Sequence, residues 1–404
     1  VDRVTQKRLF NLCDPEEPLA PDDPRNVDVD AMPGAPRGPR WVDVLARPME
    51  LSGRASFTLV TAQRGAGLTT ELRRLAARLG NKEGANLLVV TIDGEEVLDV
   101  HGTLDVPDVL LAVMERVTAA VNAAEGDPEE VRAANRLWRW LKDPDVSHLG
   151  IRTLLDLQSN RPALDRFRAR AGAELSRFVK EARNEAVLLD GRARRLGYEG
   201  IAVIVDSLTH VQGDSATWDA VLASAERLFG AGASYLELPI HLLYTVPVPL
   251  VLRLAAPIRF LPQISLRHRE GHEAAQAIVR RRVPDTELRE LLPEEGASRL
   301  VTSSAGNPGT IVRLLRECVA AGPVDDQRLR QILSLDADGL RRTTPFSAYP
   351  WLADVREEHR LTFTAETRDQ AERLLASGAV IRYQDPDVRY GAHAAFAGIP
   401  RVTS

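Results

Sequence analysis

An α/β fold built on a parallel sheet is predicted by three features of the chain. Residues 56–79, SFTLVTAQRGAGLTTELRRLAARL, run from an apolar strand through a glycine turn into an amphipathic helix. Residues 200–211, GIAVIVDSLTHV, read as a strand of apolar, mostly β-branched residues ending in Asp206, and residues 239–247, PIHLLYTVP, as another ending in Thr245. Strands that alternate with helical patterns form parallel sheets, and polar residues at their C-terminal ends line one edge.

With 404 residues, 44% hydrophobic and 27% charged, the chain can bury cores for two or three domains. A formal charge of −5 argues against a protein whose main work is coating nucleic acid. Cys13 and Cys318 are too few for a disulfide framework or a zinc cluster, so a reducing cytoplasm is expected. The opening residues VDRVTQKRLF carry charges where a secretory signal has an apolar core. Residues 238–262 are apolar but hold five prolines, His241 and Arg253, which reads as a buried strand and loop and leaves no membrane partner expected.

Taken in order, residues 1–45 are rich in Pro and Asp and read as an extended N-terminal arm. Residues 46–265 read as the α/β core. Aligned on G-x-x-x-x-G-K-[ST], the first glycine is Ala62, the second Gly67, the lysine Leu68 and the hydroxyl residue Thr69. The segment Arg64, Gly65, Ala66, Gly67, Leu68, Thr69 and Thr70 is thus expected to offer backbone N–H groups and a helix N-terminus to phosphate, without the ammonium. NLLVVTIDGEE (86–96) reads as a further strand and PDVLLAVMERVTAAVNAA as a helix. About residues 127–197 a helical insertion is expected, with Trp138 and Trp140 near its start and an Arg-rich part that reads as a solvated helix face.

Asp206 sits where a Walker B aspartate holds the magnesium shell. No carboxylate follows it until Asp214; His210 is placed to orient a water, although a lone histidine after a strand is more often a packing or surface residue. Residues 266–335 read as short helices of lid size. In residues 336–404 a helix precedes two strand-like segments around Asp385-Pro386-Asp387, the pattern of a winged helix. The acidic tip disfavours phosphate contact and favours packing or a protein partner.

The order TAQRGAGLTTELRRLAARL, VVTIDGEEVLD, VPDVLLAVMERV, IAVIVDSL, LELPIHLLYTVP and LVTSSAGNPGTIVRLLREC resembles bacterial STAND-type P-loop ATPases of the AAA+ lineage over roughly residues 20–320. The resemblance implies a P-loop NTPase parallel-sheet core, a helical lid, a C-terminal winged-helix domain, and ATP or ADP with magnesium on Thr69 and Asp206. It also implies a polar γ-phosphate sensor at Thr245 and an ATP-driven switch in signalling or anti-phage defence. Leu68 departs from that pattern, as do Ala62, the stretch Ser207 to His210 without a glutamate, and Gly309 and Thr310 where related proteins place a second-sensor arginine; Arg313 lies a turn further on.

Each lost charge costs a phosphoryl-transfer transition state about 2 to 4 kcal/mol. The expectation is a pseudo-ATPase that acts through protein partners, an effector, an intact ATPase paralogue or further copies of itself. A fully decayed pocket would take no cofactor. Two alternatives stand beside it: an active ATPase that uses Arg64 and Arg313, and a winged-helix nucleic-acid-binding protein.

Overall fold

The computed structural model describes residues 1–126, 154–211, 213–214 and 216–399. The first part of the expected insertion, with Trp138 and Trp140, lies outside the described residues. The chain divides into two compact units, one of Val1–Val44, Ala62–Arg74 and Phe260–Ser404, the other of Leu45–Thr61 and Leu75–Arg259.

Strands β1 (Phe57–Ala62), β2 (Leu88–Asp93), β3 (Ile201–Asp206), β4 (His241–Thr245) and β5 (Ile258–Leu261) form one sheet in the order β2, β3, β4, β1, β5. The pairs β1/β4, β4/β3 and β3/β2 are all parallel. Val60 stands opposite Thr245, Val205 opposite Tyr244 and Asp93 opposite Asp206, so β1, β4, β3 and β2 end on one edge. β3 is buried along Ile201–Val205, as its unbroken apolar run requires for a central parallel strand.

In this second unit the helix Val106–Glu125 supplies much of the core, with Val109 to Met114 all within 1% of full burial. A reciprocal capping box of Asp105 and Asp108 starts it, and Gly126, in the left-handed conformation, ends it. Arg168, on the helix Arg161–Ala173, closes on the buried Asp108 at 2.7 Å. Phe167 of that helix meets Phe178 of the helix Leu175–Arg195 edge to face at 5.9 Å.

The first unit is mainly helical. Its core gathers Ile278, Leu300, Ile311, Leu315 and Leu329 from the helices Arg269–Arg280, Gly296–Ser303, Pro308–Ala321 and Asp326–Thr343. Leu9, Cys13 and Val29 of the leader join the same core. The leader is therefore not an extended arm throughout: Arg3–Leu12 is a helix, capped by Asp2 through Thr5 N–H at 2.8 Å. Proline and aspartate density marked the turns but hid the apolar Leu9, Phe10 and Leu12 that fold back. Burial pushes the Cys13 thiol up to about 11 and that of Cys318 up to about 12, so both stay protonated and inert.

Beyond the helices, Arg368–Ser377 precedes an antiparallel hairpin of β6 (Val380–Gln384) and β7 (Val388–Ala392). Among the described residues no helix is long and apolar enough to cross a membrane.

The sheet edge depends on one hydroxyl: Thr245 is fully buried and its Oγ1 accepts the N–H of buried Leu208 at 2.9 Å. Thr245→Val keeps the shape and strands that N–H, so chemical denaturation is expected to show a loss of about 1 to 3 kcal/mol. Thr245→Ser should retain most of the stability; equal losses in both variants would contradict the assignment.

Candidate functional site: a phosphate-loop framework

The loop between β1 and the helix Leu68–Leu79 keeps its shape through two glycines. Gly65 has φ +79° and Gly67 φ +87°, both in the left-handed region that disfavours side chains. The Ala66 N–H closes a turn on Gln63 O at 3.1 Å, and Glu71 N–H makes the first helical bond to Gly67 O at 3.0 Å. Among the described residues no acceptor meets the N–H groups of Gly67, Leu68 and Thr69, which lie at the start of a twelve-residue helix. A Cβ on Gly67 would meet nothing within 4 Å, so this half of the loop is open to a ligand.

The other half is clasped. Asn307 Nδ2 donates to Arg64 O and Gly309 N–H to Gly65 O, each at 2.8 Å. A Cβ on Gly309 would sit 2.7 Å from Gly65 Cα, so this position admits only glycine. The helix Pro308–Ala321 meets the loop backbone to backbone, and a side chain at its second residue, such as the arginine that the resemblance implies near Gly309, has no room. Arg313, the displaced candidate, is held by Glu317 at 3.1 Å and by Asp336. Arg64, the other cation proposed to replace the lysine, reaches outward to Glu16 at 3.3 Å.

Two side chains that the sequence reading missed fix the loop from beneath. Gln63, 4% exposed, makes three hydrogen bonds to the backbone of Leu375, Val380 and Arg382. Arg37, 3% exposed, bridges Asp30 at 2.8 Å and Glu71 at 2.6 Å, and Asp30 also accepts Trp41 N–H at 3.0 Å. Burial opposes the charge on Arg37, and the Glu71 and Asp30 carboxylates outweigh it. Glu71 looked like an ordinary acidic residue in a first helical turn, and nothing in the order of residues pairs it with Arg37. Thr70 Oγ1 accepts Leu19 N–H at a long 3.4 Å.

Beside Arg64 lies a cavity of about 300 Å³ whose walls include Gln263, Thr310, Arg313, Asp336 and His393. Burial pushes the His393 imidazole below its ordinary value of 6.5; Asp336 opposes that shift and Arg313 adds to it. Its Nδ1 accepts Ala395 N–H at 3.1 Å, a role open only to the neutral ring.

Asp206 and Thr245 belong to the second unit, whereas the loop from Ala62 to Thr70 belongs to the first. Asp206 Oδ1 accepts the N–H of Ser207 at 2.7 Å, and Ser207 takes φ +64° to allow it. The Thr245 hydroxyl oxygen is engaged by Leu208, as described. The absence of a carboxylate near Asp206, expected from the order of residues, does not hold in space. Parallel pairing sets Asp93 beside Asp206, and Glu95 on the following turn meets His210 Nδ1. His210 is thus a surface residue, as a lone histidine after a strand most often is, and it is paired with Glu95.

Oxygen ligands on a loop hydroxyl and one carboxylate suit magnesium, which retains water and phosphate in its shell. Thr69 and Asp206 are of that type, and Thr69 makes no hydrogen bond through its side chain among the described residues. Among those residues no group of three or more His, Cys, Asp or Glu is arranged to hold a metal. The open N–H row at Gly67 to Thr69 fits a polyphosphate, whereas the clasped Gly65 face does not.

A parallel sheet whose strand passes through a left-handed glycine loop into a helix N-terminus defines an α/β fold of the P-loop NTPase type. Among solved structures, the Walker-type ATPase of Pyrococcus abyssi is similar to the chain, with 16% identity over 95% of this chain and 98% of that one and a TM-score of 0.47. No protein-family model matches the chain, and no curated protein matches it.

Arg37→Met should leave buried Asp30 without its cation and Glu71 with Arg74 alone, and lower stability by about 3 to 5 kcal/mol in denaturant titration; a loss under about 1 kcal/mol would show that the triad is not fixed. His393 gives a pH dependence. Its folded pKa lies below the unfolded 6.5, so the unfolded chain takes up a proton first as pH falls, and the stability present above 6.5 is lost below it. His393→Asn, which keeps an acceptor for Ala395 N–H, should flatten that loss between about pH 7 and 5. An unchanged slope would contradict a neutral buried ring.

Proposed function

We propose that the chain is a nucleotide-binding regulatory protein of the STAND and AAA+ kind that holds ATP or ADP without appreciable hydrolysis and acts through a protein partner. One observation carries the reading: an open row of backbone N–H groups at a helix start, shaped by Gly65 and Gly67, with Leu68 in the lysine position. Backbone donors and the helix dipole bind phosphate in the ground state. Turnover needs charge that grows in effect as the γ-phosphoryl group departs, and the lysine position of the loop holds Leu68. Arg313 is engaged by Asp336 and Glu317, which supports binding over catalysis, whereas Arg64 makes only an exposed contact with Glu16.

In this reading the backbone of Gly67, Leu68 and Thr69 holds the phosphates and Thr69 offers its hydroxyl to magnesium; Asp206, of the second unit, is the carboxylate expected for the same ion from the sequence. Magnesium, when bound, neutralises phosphate charge. Thr245 acts on the loop after β3, and the cited hydrogen bond supports a structural over a sensing role.

The winged-helix reading of the last residues is kept as part of the proposal, with a packing role. Asp385 accepts from Ser265 Oγ at 2.8 Å and lies 3.4 Å from His268, and Arg389 stacks on Tyr383 and donates to Ser265. These charges are spent within the protein, which supports a protein partner over nucleic acid. A second reading, an active ATPase with unusual residues, draws support from the Glu95–His210 pair beside Asp93 and Asp206, a candidate for orienting water.

Calorimetry with magnesium and ATP tests the proposal. Leu68→Lys should tighten binding about 10- to 150-fold by adding a charge-assisted contact, and steady-state turnover should stay below about one per minute in parent and variant. Turnover above that level, abolished by Asp206→Ala or His210→Ala, would establish the second reading instead.

A further inference from the structure

The loop is tied to the C-terminal hairpin by one amide. The Nε2 of Gln63 donates to Leu375 O at 2.8 Å and to Val380 O at 2.7 Å, and its Oε1 accepts Arg382 N–H at 3.0 Å. These partners lie at the end of the helix Arg368–Ser377 and along β6. Donating twice and accepting once through a side chain of this reach is a property of glutamine; glutamate and methionine of similar length cannot do it. β6 is held in turn by Gln263 N–H on Arg382 O at 3.1 Å and by Tyr383 Oη on Ala305 O at 2.9 Å. Ala305 precedes the Asn307 and Gly309 contacts to Arg64 O and Gly65 O. Loop, lid helix and hairpin therefore close a ring of hydrogen bonds in which Gln63 is the link between loop and strand.

We propose that Gln63 couples the conformation of the phosphate loop to docking of the β6–β7 hairpin, so that a ligand that reshapes the loop also loosens or tightens the hairpin. The ligand in this statement rests on the nucleotide reading above; the coupling does not. Because Gln63 is buried and uses all three bonds at once, the loop cannot shift while β6 stays in place without leaving polar groups unpaired. Loop and strand move together, or the amide releases both, which gives the two discrete arrangements that coupling requires.

Hydrogen exchange of the full chain, read at Val380 to Arg382, tests this with a double-mutant cycle. Gly67→Ala perturbs the loop through backbone strain alone, since its φ is +87° and its new Cβ meets nothing within 4 Å. In the parent, Gly67→Ala should speed exchange at these amides about tenfold, and in the Gln63→Ala background it should add nothing. Equal acceleration in both backgrounds, or none in the parent, would overturn the coupling. If Gln63→Ala does not fold, Gln63→Glu serves in its place. It keeps the acceptor for Arg382 N–H, loses both donors when ionised and regains one when protonated, so hairpin protection should recover as pH falls through the carboxyl range. Protection independent of pH in that variant would also overturn the proposal. Calorimetry on the parent decides the nucleotide reading separately: absent ATP binding with an intact cycle defeats that reading and leaves the coupling standing.

Discussion

The backbone contact between Gly309 and Gly65 governs the first unit. It brings a helix N-terminus against the phosphate loop at a distance that no side chain tolerates, and one hydrogen bond of 2.8 Å seals it. Beside that contact Asn307 donates to Arg64 O, and position 309 has no room for a side chain; Arg313, a turn further on, pairs with Asp336 and Glu317.

The loop that results has two faces of different character. Its first half, from Gln63 to Gly65, is committed to protein contacts with the lid helix and hairpin. Its second half, from Gly67 to Thr69, leaves N–H groups directed away from the rest of the unit's hydrogen-bond network. Beneath both, the Arg37 triad stitches the leader to the first turn of the loop helix; its one cation faces two carboxylates, Asp30 and Glu71, so it stiffens the loop and offers phosphate no spare positive charge. In the proposed reading affinity comes from backbone dipoles, which suits occupancy better than turnover.

Much of the sheet could be read from the chain because its signals are local. Apolar runs named β1, β3 and β4, and Asp206 and Thr245 at the ends of β3 and β4 marked the shared edge. The glycines at 65 and 67 announced the turn. What stayed hidden was set by pairing over long separations. Asp93 and Glu95 reach the surroundings of Asp206 and His210 only because β2 pairs with β3. Gln63 looked like a neutral loop residue and finds its partners more than 300 positions away. The leader illustrates the opposite error, since its proline-rich composition outweighed Leu9, which enters the core, and Phe10 and Leu12, which pack against it. The part of the insertion that holds Trp138 and Trp140 lies outside the described residues.

The central claim is that the loop retains phosphate binding after losing the charges of hydrolysis. Its most direct test is recovery of the chain from a mixture with magnesium and radiolabelled ATP, with protein in excess, followed by separation of the retained nucleotide. The account predicts stoichiometric retention of intact ATP after hours at neutral pH. Retention as ADP with release of phosphate, or no retention of either nucleotide, would contradict it.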